Sequence, residues 1–246
     1  MLLGQLLMEA NHITRKEVKR LLKDGSIQVN HQVTQDYAKV VDPAWMAITI
    51  DGVPLESDMG HTYYIAHKPQ GYVSANKDAQ YPTVLDLIEP KDNPGNLAIS
   101  GRLDRYAHGL VFLTNNGQLH YILQQPKFDI EKTYRVTVNG LMDGQMIAAF
   151  QEGIVFDDGT VCKPAALDIL TASEQTSTGI VRISQGQRHQ IKKMFLACGV
   201  KVTDLFRQKI GPMDLGELPE GAYRPLNETE KLAIMNLFLL YNRRND

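Results

Sequence analysis

The N-terminal part of the chain combines a helical apolar pattern with short alternating segments. Thr14 followed by Glu17 forms a capping-box pattern, and the apolar residues after it recur with helical spacing until Gly25. Residues 26–30 then alternate as a strand does, and residues 47–52 read as a strand that runs into an Asp-Gly turn. The pattern therefore predicts a small helical unit that ends in short strands.

Strands dominate the pattern beyond residue 62, with helices interspersed. The predicted strands cover residues 62–66, 109–114, 133–138 and 179–183, and the predicted helices cover 145–152, 190–197 and 232–240. This irregular mixture, without a βαβ repeat or a glycine-rich phosphate loop, favours an α+β fold. Residues 53–61 contain proline, glycine and acidic residues and are predicted to form a linker. We therefore predict two domains, residues 1–58 and 62–240.

The composition indicates an ordinary soluble globular protein. The chain has 246 residues, of which 43% are apolar and 22% are charged, so it can bury a sizeable core. Its two cysteines cannot form a disulfide framework and lack metal-ligand spacing, which is typical of the reducing cytoplasm. The first apolar run is too short for a signal sequence, and no segment approaches the roughly 20 apolar residues of a membrane helix. We expect a cytoplasmic protein with no membrane association and no metal site.

Positive charge is concentrated in two segments, although the formal net charge is −2. Residues 182–209 contain seven basic residues and one acidic residue. Residues 15–23 contain five basic residues and one acidic residue. Both segments have the composition of phosphate-binding surfaces, although a solvated helix face has the same composition.

One carboxylate lies on a loop between two strand-like segments. Gly101-Arg102-Leu103-Asp104 follows residues 97–99 and precedes the apolar run 109–114. A loop held at both ends by buried strands is a rigid support for a reactive group. Asp104 is therefore either a catalytic group or a turn residue, and its immediate neighbours do not decide between the two.

Several ordered motifs extend over nearly the whole chain. They are residues 68–73, 82–85, 101–104 with 109–117, 132–136, 186–194 and 221–226. Together they resemble the pseudouridine synthases that modify ribosomal RNA and carry an N-terminal S4 RNA-binding domain. Within that family, Lys163-Pro164-Ala165 and Lys68-Pro69-Gln70-Gly71 are most similar to the branch that acts on the small ribosomal subunit.

The resemblance implies an isomerase that converts one uridine of 16S ribosomal RNA to pseudouridine and requires no cofactor. It implies a small S4-like (αL) RNA-binding domain followed by a catalytic domain, built on a mixed, mainly antiparallel sheet with flanking helices. The expected partner is small-subunit ribosomal RNA, either free or in a partly assembled particle. We expect the protein to be a monomer.

The resemblance also assigns roles to individual residues. Asp104 matches the catalytic aspartate, which either attacks the sugar or removes a sugar proton, and Lys192 matches the basic residue that pairs with it. Tyr134 matches the active-site tyrosine and Ile191 an apolar residue of the base pocket, although both positions also fit a buried core. Arg102, beside Asp104, is expected to support the site. The residues expected to bind RNA are Arg15, Lys16, Lys19, Arg20, Lys23, Arg188 and Lys193.

Two positions after Asp104 depart from the family pattern. Ala107 stands where the family usually has threonine, and His108 where it has a small or hydroxylated residue. These departures leave open a second hypothesis, a ribosome-assembly factor that binds RNA without catalysing the reaction. A carbohydrate hydrolase is disfavoured, because its reaction needs a second placed carboxylate and the motifs supply one.

Overall fold

A computed structural model describes residues 1–57, 60–156 and 158–243 of the chain. Residue 58, the predicted end of the first domain, and residue 59 of the predicted linker lie outside the described residues. The contacts divide the chain into two compact units. The first comprises Met1–Thr62, Asn115–Leu119 and the segment from Asn227 onward, and the second comprises Tyr63–Thr114 and His120–Leu226.

Both units contain helices and strands. The helices are α1 (Leu3–Asn11), α2 (Arg15–Asp24), α3 (Gly117–Gln124), α4 (Gly144–Glu152), α5 (Gln190–Ala197) and α6 (Glu228–Arg243). The strands are β1 (Ile27–Val29), β2 (Gln32–Val33), β3 (Ile48–Ile50), β4 (Val53–Pro54), β5 (Tyr63–Lys68), β6 (Ala98–Ser100), β7 (His108–Thr114), β8 (Lys132–Asn139), β9 (Ala166–Thr171), β10 (Ser177–Ile183), β11 (Lys201–Ile210), β12 (Met213–Asp214) and β13 (Tyr223–Pro225). Among the described residues, none of the helices has the length and apolar character needed to cross a membrane.

The first unit contains α1, α2 and a four-stranded antiparallel sheet in the order β2-β1-β3-β4. The predicted capping box is confirmed: the Thr14 hydroxyl accepts a hydrogen bond from the Glu17 amide, and the Glu17 carboxylate accepts one from the Thr14 amide. The sequence pattern missed α1, because Leu2 at its N-cap has no side chain that can cap a helix. The pattern also placed Val53 in the linker, whereas it pairs with Ile50 in the sheet.

The second unit is built on a nine-stranded sheet. Its strand order is β13-β5-β7-β11-β8-β10-β9, with β6 paired to β7 and β12 paired to β11. The β7–β11 pair is parallel, and the other pairs are antiparallel. The predicted α+β class with a mixed, mainly antiparallel sheet is therefore confirmed.

The main core forms where α4 and α5 pack against one face of this sheet. Val136 and Val138 of β8 are fully buried in the same apolar cluster as Phe150 of α4 and Phe195 of α5. The two phenylalanine rings have their centroids 4.9 Å apart. Because side chains alternate along a strand, Tyr134 projects from the same face of β8 as these valines.

β11 lies between β7 and β8 in the sheet, but the sequence pattern does not predict it. Its pairing with β8 shifts in register between Val202 and Asp204 and again between Arg207 and Lys209, and such bulges break the regular alternation of a strand. The interpretation of residues 182–209 as a basic surface is wrong for Arg207, which is only 1% exposed. Arg207 belongs to the interior of the fold.

Candidate active site

Asp104 lies on the loop between β6 and β7, as the sequence predicts. Glycines with positive φ stand at both ends of this loop, 74° at Gly101 and 106° at Gly109. A Cβ atom on Gly109 would lie 2.3 Å from the carbonyl oxygen of Arg207. Only glycine therefore allows β7 to approach β11 this closely. The loop that carries Asp104 is positioned by the pairing of two interior strands.

Two buried polar side chains hold the backbone on either side of Asp104. The Ser74 hydroxyl donates a hydrogen bond to the carbonyl oxygen of Leu103 and accepts one from its amide, both at 3.0 Å. The fully buried ammonium group of Lys68 donates to the carbonyl oxygen of Arg105 at 3.3 Å. These contacts fix both neighbours of Asp104, so its carboxylate stands on a rigid support.

Arg207 connects the start of the same loop to two strands. Its guanidinium donates hydrogen bonds to the carbonyl oxygen of Gly101, to that of Leu110 at 2.7 Å and to the hydroxyl of Tyr134 at 3.3 Å. A guanidinium presents its donors in a rigid planar arrangement, so these bonds fix the loop relative to β7 and β8. Sequence reasoning missed this role, because nothing in a run of basic residues distinguishes the buried one.

The two carboxylate oxygens of Asp104 contact different basic side chains. Nζ of Lys192 lies 3.1 Å from Oδ2, and Nε2 of His189 lies 3.2 Å from Oδ1. Lys192 is in the first turn of α5, and His189 is the N-cap residue of that helix, with a left-handed backbone at φ 56°. The side chain of Asp104 is 32% exposed, so a substrate can reach it. A carboxylate held at both oxygens in this way is oriented to act as a nucleophile or base.

Asp104 lines a cavity of about 690 Å³ in the second unit. Among the described residues that line this cavity, Asp104 is the only carboxylate. The basic residues with it are Arg102, Lys132, Arg188, His189, Lys192 and Arg207. Arg102 and Arg188 are exposed, whereas Lys132 and Arg207 are buried. A cavity with several cations around one carboxylate is suited to a polyanionic substrate.

Tyr134 and Ile191 belong to the core and to the cavity wall at once. Tyr134 is 6% exposed and Ile191 is 4% exposed, and both are members of the main apolar cluster. Both also line the cavity that contains Asp104. The sequence left these two roles as alternatives, and the structure combines them. An aromatic ring and an aliphatic side chain in such a wall form a suitable surface for a planar base.

The second unit with its loop and cavity matches a known family. A model of the RNA pseudouridylate synthase family covers residues 62–197. The chain belongs to the RNA pseudouridine synthase family. It is therefore an isomerase that converts uridine in RNA to pseudouridine.

Full-length relatives support the assignment to the pseudouridine synthases. The chain is 36% identical over 240 residues to "Ribosomal small subunit pseudouridine synthase A" of Pasteurella multocida, with 96% of this chain and 100% of the relative covered. It is 33% identical over 237 residues to an uncharacterised RNA pseudouridine synthase of Bacillus subtilis, with 96% and 98% covered. A crystal structure of a pseudouridylate synthase superposes with a TM-score of 0.66 at 32% identity, and the match covers 95% of this chain and 99% of that one.

The pseudouridine synthase cavity brings together most of the expected site residues, but not all of them. Asp104, Arg102, Tyr134, Arg188, Ile191 and Lys192 line it. Lys193 is not among the lining residues, and its Nζ lies 3.7 Å from Oδ2 of Asp158. The basic residues expected on the first unit are all exposed on α2. His189 was missed, although motif 186–194 contains it, because no pattern shows that an N-cap side chain turns toward a distant loop.

Two buried lysines of this pseudouridine synthase have lowered pKa values. Burial, together with the smaller effect of the charge of Arg207, lowers the pKa of Lys132, which lines the cavity, to about 8. Burial and Arg207 also lower the pKa of Lys68 to about 8, while Asp104 and Glu220 act in the opposite direction. At neutral pH both side chains still carry positive charge, so the interior beside the cavity is cationic.

Proposed function

We propose that this pseudouridine synthase isomerises a uridine of 16S ribosomal RNA with Asp104 as the catalytic residue. The main observation in support is the ion pair between Oδ2 of Asp104 and Nζ of Lys192, which lie 3.1 Å apart. The described residues that line this cavity include no other carboxylate. Support for the small-subunit substrate comes from the relatives named for it, which match over 97–100% of their length.

The reaction detaches the base from the ribose, turns it and rejoins it through carbon. The bond from the ribose C1′ to the base nitrogen breaks, and a bond from C1′ to C5 of the base forms. C5 loses its hydrogen and the nitrogen gains one, so the isomerisation involves no net oxidation or reduction and requires no cofactor. One ionised carboxylate beside the ribose serves this chemistry. It either attacks the sugar carbon or removes a sugar proton.

The other cavity residues position the carboxylate and the base. Lys192 holds one oxygen of the Asp104 carboxylate, and His189 orients the other. The target uridine leaves its stack at a cost of a few kcal/mol, and stacking on Tyr134 returns about 1–3 kcal/mol. Ile191 provides an apolar contact for the base. Arg102 and Arg188 are exposed at the cavity and contact RNA phosphates in this proposal.

The first unit supplies further contacts to RNA. We assign residues 1–58 to an S4-like RNA-binding domain and residues 62–240 to the catalytic domain. The five exposed basic side chains of α2 contact phosphates without reading the sequence, and Lys193 adds a contact from α5. In this proposal the protein works as a cytoplasmic monomer on free small-subunit RNA or on a partly assembled particle.

The proposal is tested by Asp104→Asn on small-subunit RNA that carries tritium at C5 of uridine. Formation of the new carbon bond releases that tritium. We expect no release by Asp104→Asn and unchanged RNA binding. The control is Asp129→Asn, which alters an exposed carboxylate paired with Lys163 at 2.7 Å and is expected to match the wild type. Activity in Asp104→Asn contradicts the catalytic role, and a wild type that binds RNA without releasing tritium supports the assembly-factor hypothesis instead.

A further inference from the structure

Arg105, the residue after Asp104, lies between two tyrosine rings. Its Cζ is 3.5 Å from the ring centroid of Tyr81 and 5.0 Å from that of Tyr106. Tyr106 is 63% exposed, whereas the other two side chains are partly buried. The guanidinium of Arg105 thus contacts both rings, and we call these three side chains the Tyr81–Arg105–Tyr106 stack, of which Tyr106 is the exposed member.

The stack is built into the loop that carries Asp104. The Ala107 amide donates a hydrogen bond to the Asp104 carbonyl oxygen at 3.1 Å, which closes a turn with Arg105 and Tyr106 at its two central positions. Ala107, the last residue of this turn, is fully buried. Consecutive Cα atoms are about 3.8 Å apart, so the Cα atoms of Tyr106 and Asp104 lie within about 7 Å of each other.

The other side of the stack is fixed as well. The Asp78 carboxylate accepts hydrogen bonds from the amides of Gln80 and Tyr81, both at 2.9 Å. These bonds and the charge of Arg105 lower the pKa of Asp78, so it stays ionised near the guanidinium. Nε of Arg105 donates to the carbonyl oxygen of Gly71 at 3.3 Å. The stack is therefore ordered before any ligand binds.

An RNA substrate supplies a ligand of matching chemistry. When the target uridine leaves its stack to reach Asp104, the neighbouring base loses a stacking partner. Aromatic rings and guanidinium planes are the groups on which proteins stack such exposed bases. The cations of the adjacent cavity favour the RNA backbone at the same place.

We propose that the Tyr81–Arg105–Tyr106 stack binds the base of the nucleotide next to the target uridine, through the exposed ring of Tyr106. The proposal rests on the proposed function, because it requires an RNA substrate at Asp104. Tyr106 then has a role in binding substrate, since its exposed side chain is not needed for packing of the core. The proposal makes the flanking nucleotide part of what the enzyme recognises.

The test compares Tyr106→Ala with Tyr106→Phe and Tyr106→Trp, by tritium release and by binding of a small-subunit RNA transcript. Loss of the stacking contact in Tyr106→Ala should raise KM and Kd about five- to 140-fold. We expect KM and Kd of the two aromatic variants to stay near the wild-type values. The control is Tyr121→Ala, which removes another exposed tyrosine that also lies beside a cation, Lys127. We expect this control to bind and react normally. Thermal unfolding of Tyr106→Ala should be unchanged, because the side chain is exposed.

A second measurement identifies the contacted group. In RNA with an abasic site next to the target uridine, the wild type and Tyr106→Ala should bind equally. If Tyr106→Ala and Tyr121→Ala bind and modify intact RNA equally well, the stacking proposal is overturned. Activity of the wild type in the same assay would leave the proposed function in place. A defect seen only on assembled particles also overturns it, in favour of contact with a ribosomal protein. A wild type that neither binds nor modifies small-subunit RNA overturns both proposals.

Discussion

Nζ of Lys192 lies 3.1 Å from Oδ2 of Asp104, although 88 positions separate the two residues in sequence. The pairing of two strands brings them together. Asp104 precedes β7, and Lys192 is on the helix that precedes β11, and β7 and β11 are the parallel pair of the sheet. The ion pair therefore depends on the sheet that supports both segments as well as on the two side chains.

Removal of the charge partner should weaken catalysis more than RNA binding. We expect Lys192→Met to lower kcat about 10- to 140-fold, because a hydrogen bond to a charged group contributes about 1.5–3 kcal/mol. Lys192→Arg should restore part of the rate, since it keeps the charge. The matched control is Lys163→Met, which removes the lysine of the exposed pair with Asp129. Single-turnover tritium release gives the rates, and equal rates for the two methionine variants would argue against the pairing role.

The close approach of β7 to β11 should make Gly109 sensitive to substitution. Gly109→Ala places a Cβ 2.3 Å from a backbone oxygen at φ 106°, so we expect a loss of about 3 kcal/mol or more in the free energy of unfolding. Gly144→Ala is the control, because a Cβ there has no neighbour within 4 Å and the residue begins α4. Urea unfolding measures both variants. A near-neutral Gly109→Ala would show that the strands can separate at no cost.

The lowered pKa of Lys132 predicts a pH-dependent stability difference. Below pH 8 the lysine is charged in both the folded and unfolded states, and burial of the charge costs stability. Between about pH 8 and the usual pKa of 10.5 the folded state loses its proton first, so this cost is relieved as pH rises. We expect Lys132→Met to be more stable than the wild type at pH 7 by about 3 kcal/mol, with a smaller difference at pH 10.

Denaturant unfolding at the two pH values measures this change. Lys201→Met, at an exposed position of β11, should show no such pH dependence. A difference between Lys132→Met and the wild type that stays constant from pH 7 to pH 10 would rule out a lowered pKa as its cause.

The basic face of α2 should contribute to RNA affinity through phosphate contacts. We expect the double variant Lys19→Glu, Arg20→Glu to bind small-subunit RNA more weakly and with a flatter salt dependence, by about 0.7–0.9 in log–log slope per lost contact. The control is the double variant Lys91→Glu, Lys231→Glu, which changes the net charge by the same amount as the α2 double variant. Its two lysines are paired with Glu89 and Glu228. If both doubles share one slope, net charge alone explains the effect and α2 does not touch phosphate.

Local patterns in the sequence predicted the elements whose determinants are local. α5 spans Gln190–Ala197 as predicted, because its apolar residues recur at helical spacing and Gly199 follows it. The capping box of α2 was readable for the same reason, since Thr14 and Glu17 are three residues apart. The loop position of Asp104 followed from the two strand patterns beside it.

Features that depend on long-range packing could not be read in the same way. β11 contains two bulges. It also contains the buried Arg207, whose hydrogen-bond partners Gly101, Leu110 and Tyr134 come from three other segments. The contact of His189 with Asp104 depends on a left-handed backbone at the N-cap of α5, which no pattern in the sequence indicates. The resemblance to a family located Asp104, Lys192 and Tyr134, and only the structure added Arg207 and His189.

The most direct test of the central claim is a chemical map of pseudouridine in the 16S ribosomal RNA of cells that lack this protein. Wild-type protein supplied to these cells should restore one pseudouridine, and Asp104→Asn at equal abundance should restore none, while Asp129→Asn restores it fully. An identical map with and without the protein would contradict its proposed action on 16S ribosomal RNA, and restoration of the modification by Asp104→Asn would contradict the catalytic role of Asp104.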